Sequence, residues 1–176
     1  MSLRNVFFAT GLVLLLFSCS KNYFQQTSLS PSWQTATRYR TLVVKPVLVS
    51  SRPVSGEEVV TRCAFHLRTE LSKRNLELLP ADGFEEALRA RSFGGSGTVS
   101  EKTMLEAARS QGAQVLVMTE ISTESLQGGL PLMATVRLLQ TSDGIQLYAG
   151  KARADNPASL EAGLEFALEK ALEALK

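Results

Sequence analysis

The run AQVLVMTEIST, residues 113–123, decides the fold because its character changes along its length. Residues 115–118 are all apolar, whereas the second half intersperses polar residues with the apolar Ile121, so that the run comes to resemble an alternating one. A continuous apolar run is typical of a strand buried on both faces, whereas alternation is typical of a strand with one face in water. The run therefore predicts a central strand whose second half emerges into solvent.

Two further segments predict a hairpin. LMATVRLLQ at 132–140 and IQLYAGKA at 145–152 alternate apolar and polar residues over most of their length. TSDG, residues 141–144, stands between them, and an Asp-Gly pair in this position is a strong signal for a tight turn. We therefore predict two antiparallel strands joined at Asp143-Gly144.

The remaining segments predict strands and helices around this centre. In chain order they are a strand at 41–49, a helix at 57–74, a strand at 76–79, helices at 84–91 and 100–111, and a long helix at 157–175. Pro46 marks an edge, a bulge or the end of the first strand, because proline donates no ladder hydrogen bond. Asp155 or Asn156 is the expected N-cap of the last helix, with Pro157 in its first turn.

These elements predict a single α/β (α+β) domain over residues 41–176. A strand–helix start followed by an antiparallel hairpin is typical of a mixed sheet covered by helices. We expect four or five strands packed by about four helices, the last being a C-terminal amphipathic helix. Residues 19–40 are rich in Ser, Thr and Gln without a helical or strand period, which predicts a flexible tether with a reach of about 25 Å. Tyr23, Phe24 and Trp33 within it can dock on the domain, lie at lipid headgroups or bind a partner.

The first residues have the pattern of a secretory signal peptide. Arg4 supplies the positive charge, and residues 6–17 are apolar apart from Thr10 and Gly11. Twelve residues span about 18 Å as a helix, less than the ~20 residues that a bilayer core requires. A buried core helix would need a polar face, which this run lacks. We therefore predict a cleaved signal peptide at 1–18.

Leu16, Phe17 and Ser18 precede Cys19, and together these four residues resemble the lipobox of bacterial lipoproteins. The resemblance implies a diacylglyceryl group on the Cys19 thiol and an acyl chain such as palmitate on its new N-terminus. Phe17 departs from the pattern, which usually has a smaller residue there. Ser20 rather than Asp follows the cysteine, which implies sorting to the outer membrane, facing the periplasm. No cofactor besides this lipid is expected.

Composition excludes some classes of function. The chain has 19 Lys and Arg against 17 Asp and Glu, and removal of residues 1–18 takes away only Arg4, which lowers the net charge from +2 to +1. Binding to nucleic acid requires a basic patch, so no nucleic-acid partner is expected. The chain holds two cysteines, so with lipid on Cys19 the second, Cys63, lacks a disulfide partner.

Four segments carry a family resemblance: TLVVKPVLV at 41–49, VVTRCAFHLRTELSKRNLELLP at 59–80, AARSQGAQVLVMTEISTES at 107–125 and ATVRLLQTSDGIQLYAG at 134–150. Their order and spacing resemble the domain shared by CsgG-type curli secretion lipoproteins, LpoB-type activators of peptidoglycan synthases and the N-terminal domain of TolB. A CsgG-type pore needs inserted hairpins with strands of about 9–11 residues. The loops here are too short for two of them, which brings the chain nearest to an LpoB-type accessory lipoprotein.

Catalytic and metal chemistry find little support in the sequence. His66 is the single histidine, and it stands beside the apolar stripe of the first helix without a Ser or Cys nucleophile motif. Cys63 falls on that stripe, which predicts an inert core thiol. No metal-ligand spacing is present. We therefore expect neither enzymatic activity nor a metal site.

Four apolar residues are candidate partner contacts. Phe65 falls on the face of the first helix opposite its apolar stripe, and Leu126, Leu130 and Leu132 stand in or beside a glycine-containing loop. Clustered exposed apolar groups are typical of interaction sites. The alternative is that neighbouring loops or the tether cover them. An open sheet edge offers a further route to a partner, by backbone pairing.

Three functions fit these observations. The first is a lipid-anchored, non-enzymatic accessory protein that binds another envelope protein, such as a cell-wall synthase or a secretion component, with anchoring raising the effective concentration. The second is a homo-oligomeric subunit of a CsgG-like secretion or scaffold ring, which requires a head-to-tail interface. The third is an envelope lipoprotein that binds a small ligand.

Overall fold

The computed structural model describes residues 23–33, 38–50, 56–91, 99–123 and 131–175. The elements in chain order are β1 (Tyr23–Leu29), β2 (Tyr39–Val43), β3 (Val47–Ser50), α1 (Glu57–Ser72), β4 (Leu76–Leu78), α2 (Asp82–Arg91), α3 (Glu101–Ser110), β5 (Val115–Thr123), β6 (Leu132–Gln140), β7 (Gln146–Ala154) and α4 (Leu160–Ala171). The predicted α+β class and single domain are confirmed, and the described residues form four helices, against the expected number of about four. No helix within these ranges is long and apolar enough to cross a membrane.

The sheet is mixed and is built around β5, as its sequence predicts. The strand order is β1-β7-β6-β5-β2-β4, and β3 pairs with the second half of β5. The strands β2, β3 and β4 run parallel to β5, whereas each adjacent pair in the order β5-β6-β7-β1 is antiparallel. The predicted hairpin is confirmed: Gly144 adopts a φ of +74° and donates its N–H to the carbonyl of Gln140 at 2.9 Å.

Helices cover the two faces of the sheet unequally. On one face, α1 and α4 bury the larger core, which includes Cys63, Leu67, Val117, Leu164 and Leu168. On the other face, α2 and α3 bury a smaller cluster on β2 and the first half of β5. That cluster consists of Leu42, Leu79, Phe84, Ala107, Ala108, Ala113 and Leu116.

Strand β1 lies within the segment predicted to be a flexible tether. Residues 23–29 pair along their whole length with β7, from Tyr23 opposite Ala154 to Leu29 opposite Tyr148. The Gln25 side chain also donates to the carbonyl of Lys170 in α4 at 2.9 Å. Backbone pairing needs no apolar period, which is why a polar run can form this edge strand. The sheet therefore has more strands among the described residues than the four or five predicted.

Two predicted boundaries shift for local reasons. The predicted strand at 41–49 is divided into β2 and β3 by residues 44–46, because Pro46 ends the ladder. The last helix begins at Leu160 instead of Pro157, and its N-cap is Ser159, whose hydroxyl accepts from the N–H of Ala162 at 3.1 Å. Asn156 is not the cap, because it adopts a φ of +47° that turns the chain before the helix.

Candidate interaction surfaces

Phe65 lies on the outward side of α1, as predicted. The side chain is 68% exposed, whereas Val59, Cys63 and Leu67 on the same helix are buried against the sheet. Its ring makes an edge contact with the imidazole of His66, with ring centroids 5.7 Å apart. A largely exposed phenylalanine in the middle of a helix is a candidate anchor for a partner.

His66 takes part in the contact between α1 and α4. Its Nε2 lies 3.6 Å from a carboxylate oxygen of Glu161, and Arg62 donates to the other oxygen at 2.9 Å. Arg62 also pairs with Glu58 within α1 at 2.7 Å. These contacts explain His66 through packing of the two helices. No group of three or more His, Cys, Asp or Glu in the described part of the chain could hold a metal ion.

The predicted apolar spot around residue 130 is in part wrong. Leu132 is 1% exposed and belongs to the larger core, because it is the first residue of β6 and faces α4. Leu126 and Leu130 lie outside the described residues, as do the lipobox residues Leu16, Phe17 and Ser18 and the predicted lipidation site Cys19. The structure therefore leaves Phe65 as the described exposed member of the predicted set.

Half of one sheet face lacks a helical cover in the described structure. At the end of the sheet where β1 begins, residues that pair from strand to strand form a row across five strands. This row consists of Phe24, Arg153, Met133, Ser122 and Val49. Phe24 is 46% and Val49 is 47% exposed. We call this area, together with the row described next, the open half-face.

A second row runs parallel to the first, one step farther from the start of β1. It consists of Gln26, Lys151, Thr135, Glu120 and Val47. Val47 is 59% exposed. Arg137 of β6 marks the boundary with the covered half, because it pairs with Glu101 of α3 at 2.9 Å. Between its edges the open half-face thus has mainly polar residues, with Met133 as the apolar exception, and exposed apolar residues lie at both edges.

A cleft of about 350 Å³ lies where β2 ends, against α2. Its wall is mainly apolar and includes Val43, Val44, Phe84 and Leu88, with Arg89 at the rim. The cleft could admit a small apolar group. Its lining also includes Lys45 and Glu85, and the Glu85 carboxylate pairs with Arg89 at 3.8 Å.

Cys63 is a buried thiol, as predicted. The residue has no exposed surface, and burial raises the pKa of its thiol to about 12. A neutral, enclosed thiol is a poor nucleophile. In the Cys19→Ala variant, where Cys63 is the single thiol, we expect maleimide labelling at neutral pH to be at least about a hundredfold slower in the folded protein than in urea. Equal labelling rates in the two conditions would contradict this assignment.

The exposure of Phe65 can be predicted from the sequence, because helical spacing shows which residues of α1 face the core and which face away from it. The open half-face cannot be predicted in this way, because its rows join residues from five strands that lie far apart in the chain. The one sequence signal is the change to alternation within β5, which places Glu120 and Ser122 on a solvated face.

Comparison with known proteins relates this fold to bacterial proteins of solved structure. No family model matches the chain, and no curated protein matches it. A PelC dodecamer from Paraburkholderia phytofirmans is similar, with 16% identity, 87% of this chain and 96% of that chain covered, and a TM-score of 0.53. The C-terminal domain of LpoB from Salmonella enterica has 12% identity, with 68% and 86% covered and a TM-score of 0.51. The NMR structure of E. coli LpoB has 13% identity, with 66% and 56% covered and a TM-score of 0.50. The predicted resemblance to LpoB-type domains is thus confirmed for the fold.

Proposed function

We propose that this protein is a lipid-anchored, non-enzymatic component of the cell envelope that works by binding protein surfaces. The observation that carries the proposal is the exposure of apolar side chains on opposite faces of the sheet. Phe65 projects from the helical layer, and Phe24, Val47 and Val49 lie on the open half-face. A small domain that leaves such groups in water on both faces is suited to contact proteins.

The first form of this function is the binding of another envelope protein. The fold shared with LpoB supports it. A lipid on Cys19 would place the domain at the same membrane as its partner, which raises the effective concentration without any additional contact. The partner could be a cell-wall synthase or a secretion component, and the outer membrane is the proposed location.

The second form is self-assembly into a ring. The similarity to a PelC dodecamer supports it, since it covers nearly the whole of that chain and most of this one. The arrangement of exposed groups also suits it, because a head-to-tail ring needs two different contact surfaces on each copy.

In-cell crosslinking followed by mass spectrometry tests the proposal on the tagged, full-length protein. We expect wild type to capture a defined envelope partner, itself or both, and Phe65→Glu to lose at least about tenfold of that capture, as is typical for a central aromatic anchor. Ile145→Glu is the matched control, because Ile145 is 50% exposed but lies in the β6–β7 turn.

Two outcomes would contradict parts of the proposal. If Phe65→Glu captures the same proteins in the same yield as wild type, α1 is not a contact surface. If Cys19→Ala leaves the mature N-terminus and the membrane fraction unchanged, the protein is not lipid-anchored through that residue.

A further inference from the structure

The edge of the helical cover leaves a step on one face of the sheet. Phe84 of α2 and Ala107 and Ala108 of α3 pack over β2 and the first half of β5. Beyond Arg137 the open half-face begins, and no described helix lies over it. The step is about one helix diameter deep, ~10 Å. A helix laid beside α2 and α3 would fill it.

Among the residues that the structure describes, the open half-face carries one unpaired cation, which lies on β7 beside the central strand β6. Lys151 on β7 is half-buried between Gln26 and Thr135, and it forms no ion pair with any described residue. Arg153 lies two residues farther along the same face, although it is paired with Asp155 at 2.8 Å. The acid in the same row is Glu120, which is two strands away from Lys151, about 9–10 Å.

The outward side of α4 presents the opposite charge. Glu165 and Glu169 are exposed and stand one helical turn apart, and neither pairs with a cation among the residues that the structure describes. Two like charges at this spacing repel each other and lower helix stability slightly. A pair of carboxylates with no local compensation is suited to an external cation.

We propose that α4 of a second copy occupies the open half-face, with its Glu165 and Glu169 against Lys151. This inference rests on the self-assembling form of the proposed function and specifies its interface. Phe24 at one edge and Val47 and Val49 at the other become covered by the docked helix and its surroundings.

The geometry makes the contact head-to-tail. Because α4 and the open half-face lie on opposite faces of the sheet, each copy offers one surface to each of two neighbours. Repetition of one such contact by rotation about a common axis closes into a ring. Rotation about one axis also keeps the start of every β1 at the same height along it, so all lipid anchors can enter one membrane.

Charge reversal tests the interface on the full-length lipidated protein in detergent, with the mass measured by native mass spectrometry over a concentration series. We expect Lys151→Glu, and separately Glu165→Lys with Glu169→Lys, to weaken assembly at least about tenfold, since like charges then face each other. The triple variant restores the pairing with signs exchanged and should assemble to within about threefold of wild type. Lys102→Glu and Glu106→Lys are matched controls on the exposed side of α3.

Cysteine crosslinking separates head-to-tail from two-fold contact. A copy with Lys151→Cys and a copy with Glu165→Cys should form a crosslinked dimer when mixed, and neither should crosslink with itself. If wild type stays monomeric at all concentrations, the self-assembling function fails and this inference fails with it. If wild type assembles, the charge-reversed variants assemble equally well and the cysteine pair forms no crosslinked dimer, the protein is an oligomer but this interface is wrong.

Discussion

Replacement of Gly150 by alanine is expected to destabilise the domain by about 3 kcal/mol or more, because the new methyl group has no room. A Cβ at this position in β7 would overlap the carbonyl oxygen of Ala171, and it would lie 2.8 Å from that residue's carbonyl carbon and 2.6 Å from the hydroxyl oxygen of Tyr148. Backbone atoms cannot rotate away as a flexible side chain can, so α4 must move. The shift would also break the buried hydrogen bond from the Tyr148 hydroxyl to Ala171.

Urea unfolding of the two proteins measures this effect. Gly83→Ala is the matched control, because its Cβ would meet only the flexible end of the exposed Gln111 side chain. Alanine is also favoured over glycine within a helix by up to about 1 kcal/mol, so Gly83→Ala should leave the free energy of unfolding unchanged or raise it. An unfolding midpoint for Gly150→Ala equal to that of wild type would show that α4 does not press on β7 as described.

Arg74→Leu is expected to lower the free energy of unfolding by about 3 kcal/mol, since it removes several buried bonds together. The guanidinium connects the end of α1 to the end of α4: it donates to the carbonyls of Leu172 and Leu175 at 3.0–3.2 Å and to the carboxylate of Glu70 at 3.1 Å. The side chains of Arg74 and Glu70 are 12% and 10% exposed. The leucine variant leaves a buried carboxylate with Lys73 as its remaining cation.

The same cluster predicts a pH dependence. Burial alone would raise the pKa of Glu70, but hydrogen bonds from Lys73 and Arg74 outweigh burial and hold it below its ordinary value of 4.5. A lowered carboxyl pKa stabilises the fold above the ordinary value, and this stabilisation is lost as the pH falls through the lowered one. The difference in the free energy of unfolding between wild type and Arg74→Leu should therefore become smaller below about pH 4.5. Two results would contradict this account. One is a difference in the free energy of unfolding that stays constant down to pH 3. The other is an equal loss of unfolding free energy in Arg109→Leu, the control at an exposed arginine.

The parts of the fold that sequence predicts well are those in which side-chain pattern and burial coincide. The segment 132–140 alternates in sequence and is β6 with the same bounds. The helix predicted at 100–111 is α3, whose N-cap is Ser100; the Ser100 hydroxyl accepts from the N–H of Thr103 at 3.1 Å. Strand β1 was missed because its sequence, YFQQTSL, has no apolar face. Its place depends on β7, which lies more than a hundred residues later in the chain.

The candidate surfaces likewise divide into those that the local sequence predicts and those that depend on residues distant in the chain. Phe65 could be assigned from one helix, because its neighbours at helical spacing fix the buried side. Leu132 was misassigned because its sequence neighbours are a loop, whereas its spatial neighbours are the core residues under α4. The open half-face depends on which strands adjoin, and that information is not local.

The position of β1 also limits how far this protein can act from a membrane. Three residues separate Tyr23 from Cys19, and the four steps from one Cα to the next span at most about 14 Å. If Cys19 carries the proposed lipid, the domain rests beside the bilayer, in contrast to the longer reach that an unstructured segment up to residue 40 would allow. Envelope proteins whose docking site stands well above the membrane would be out of range. The protein would then select its partners by their height as well as by their surface chemistry.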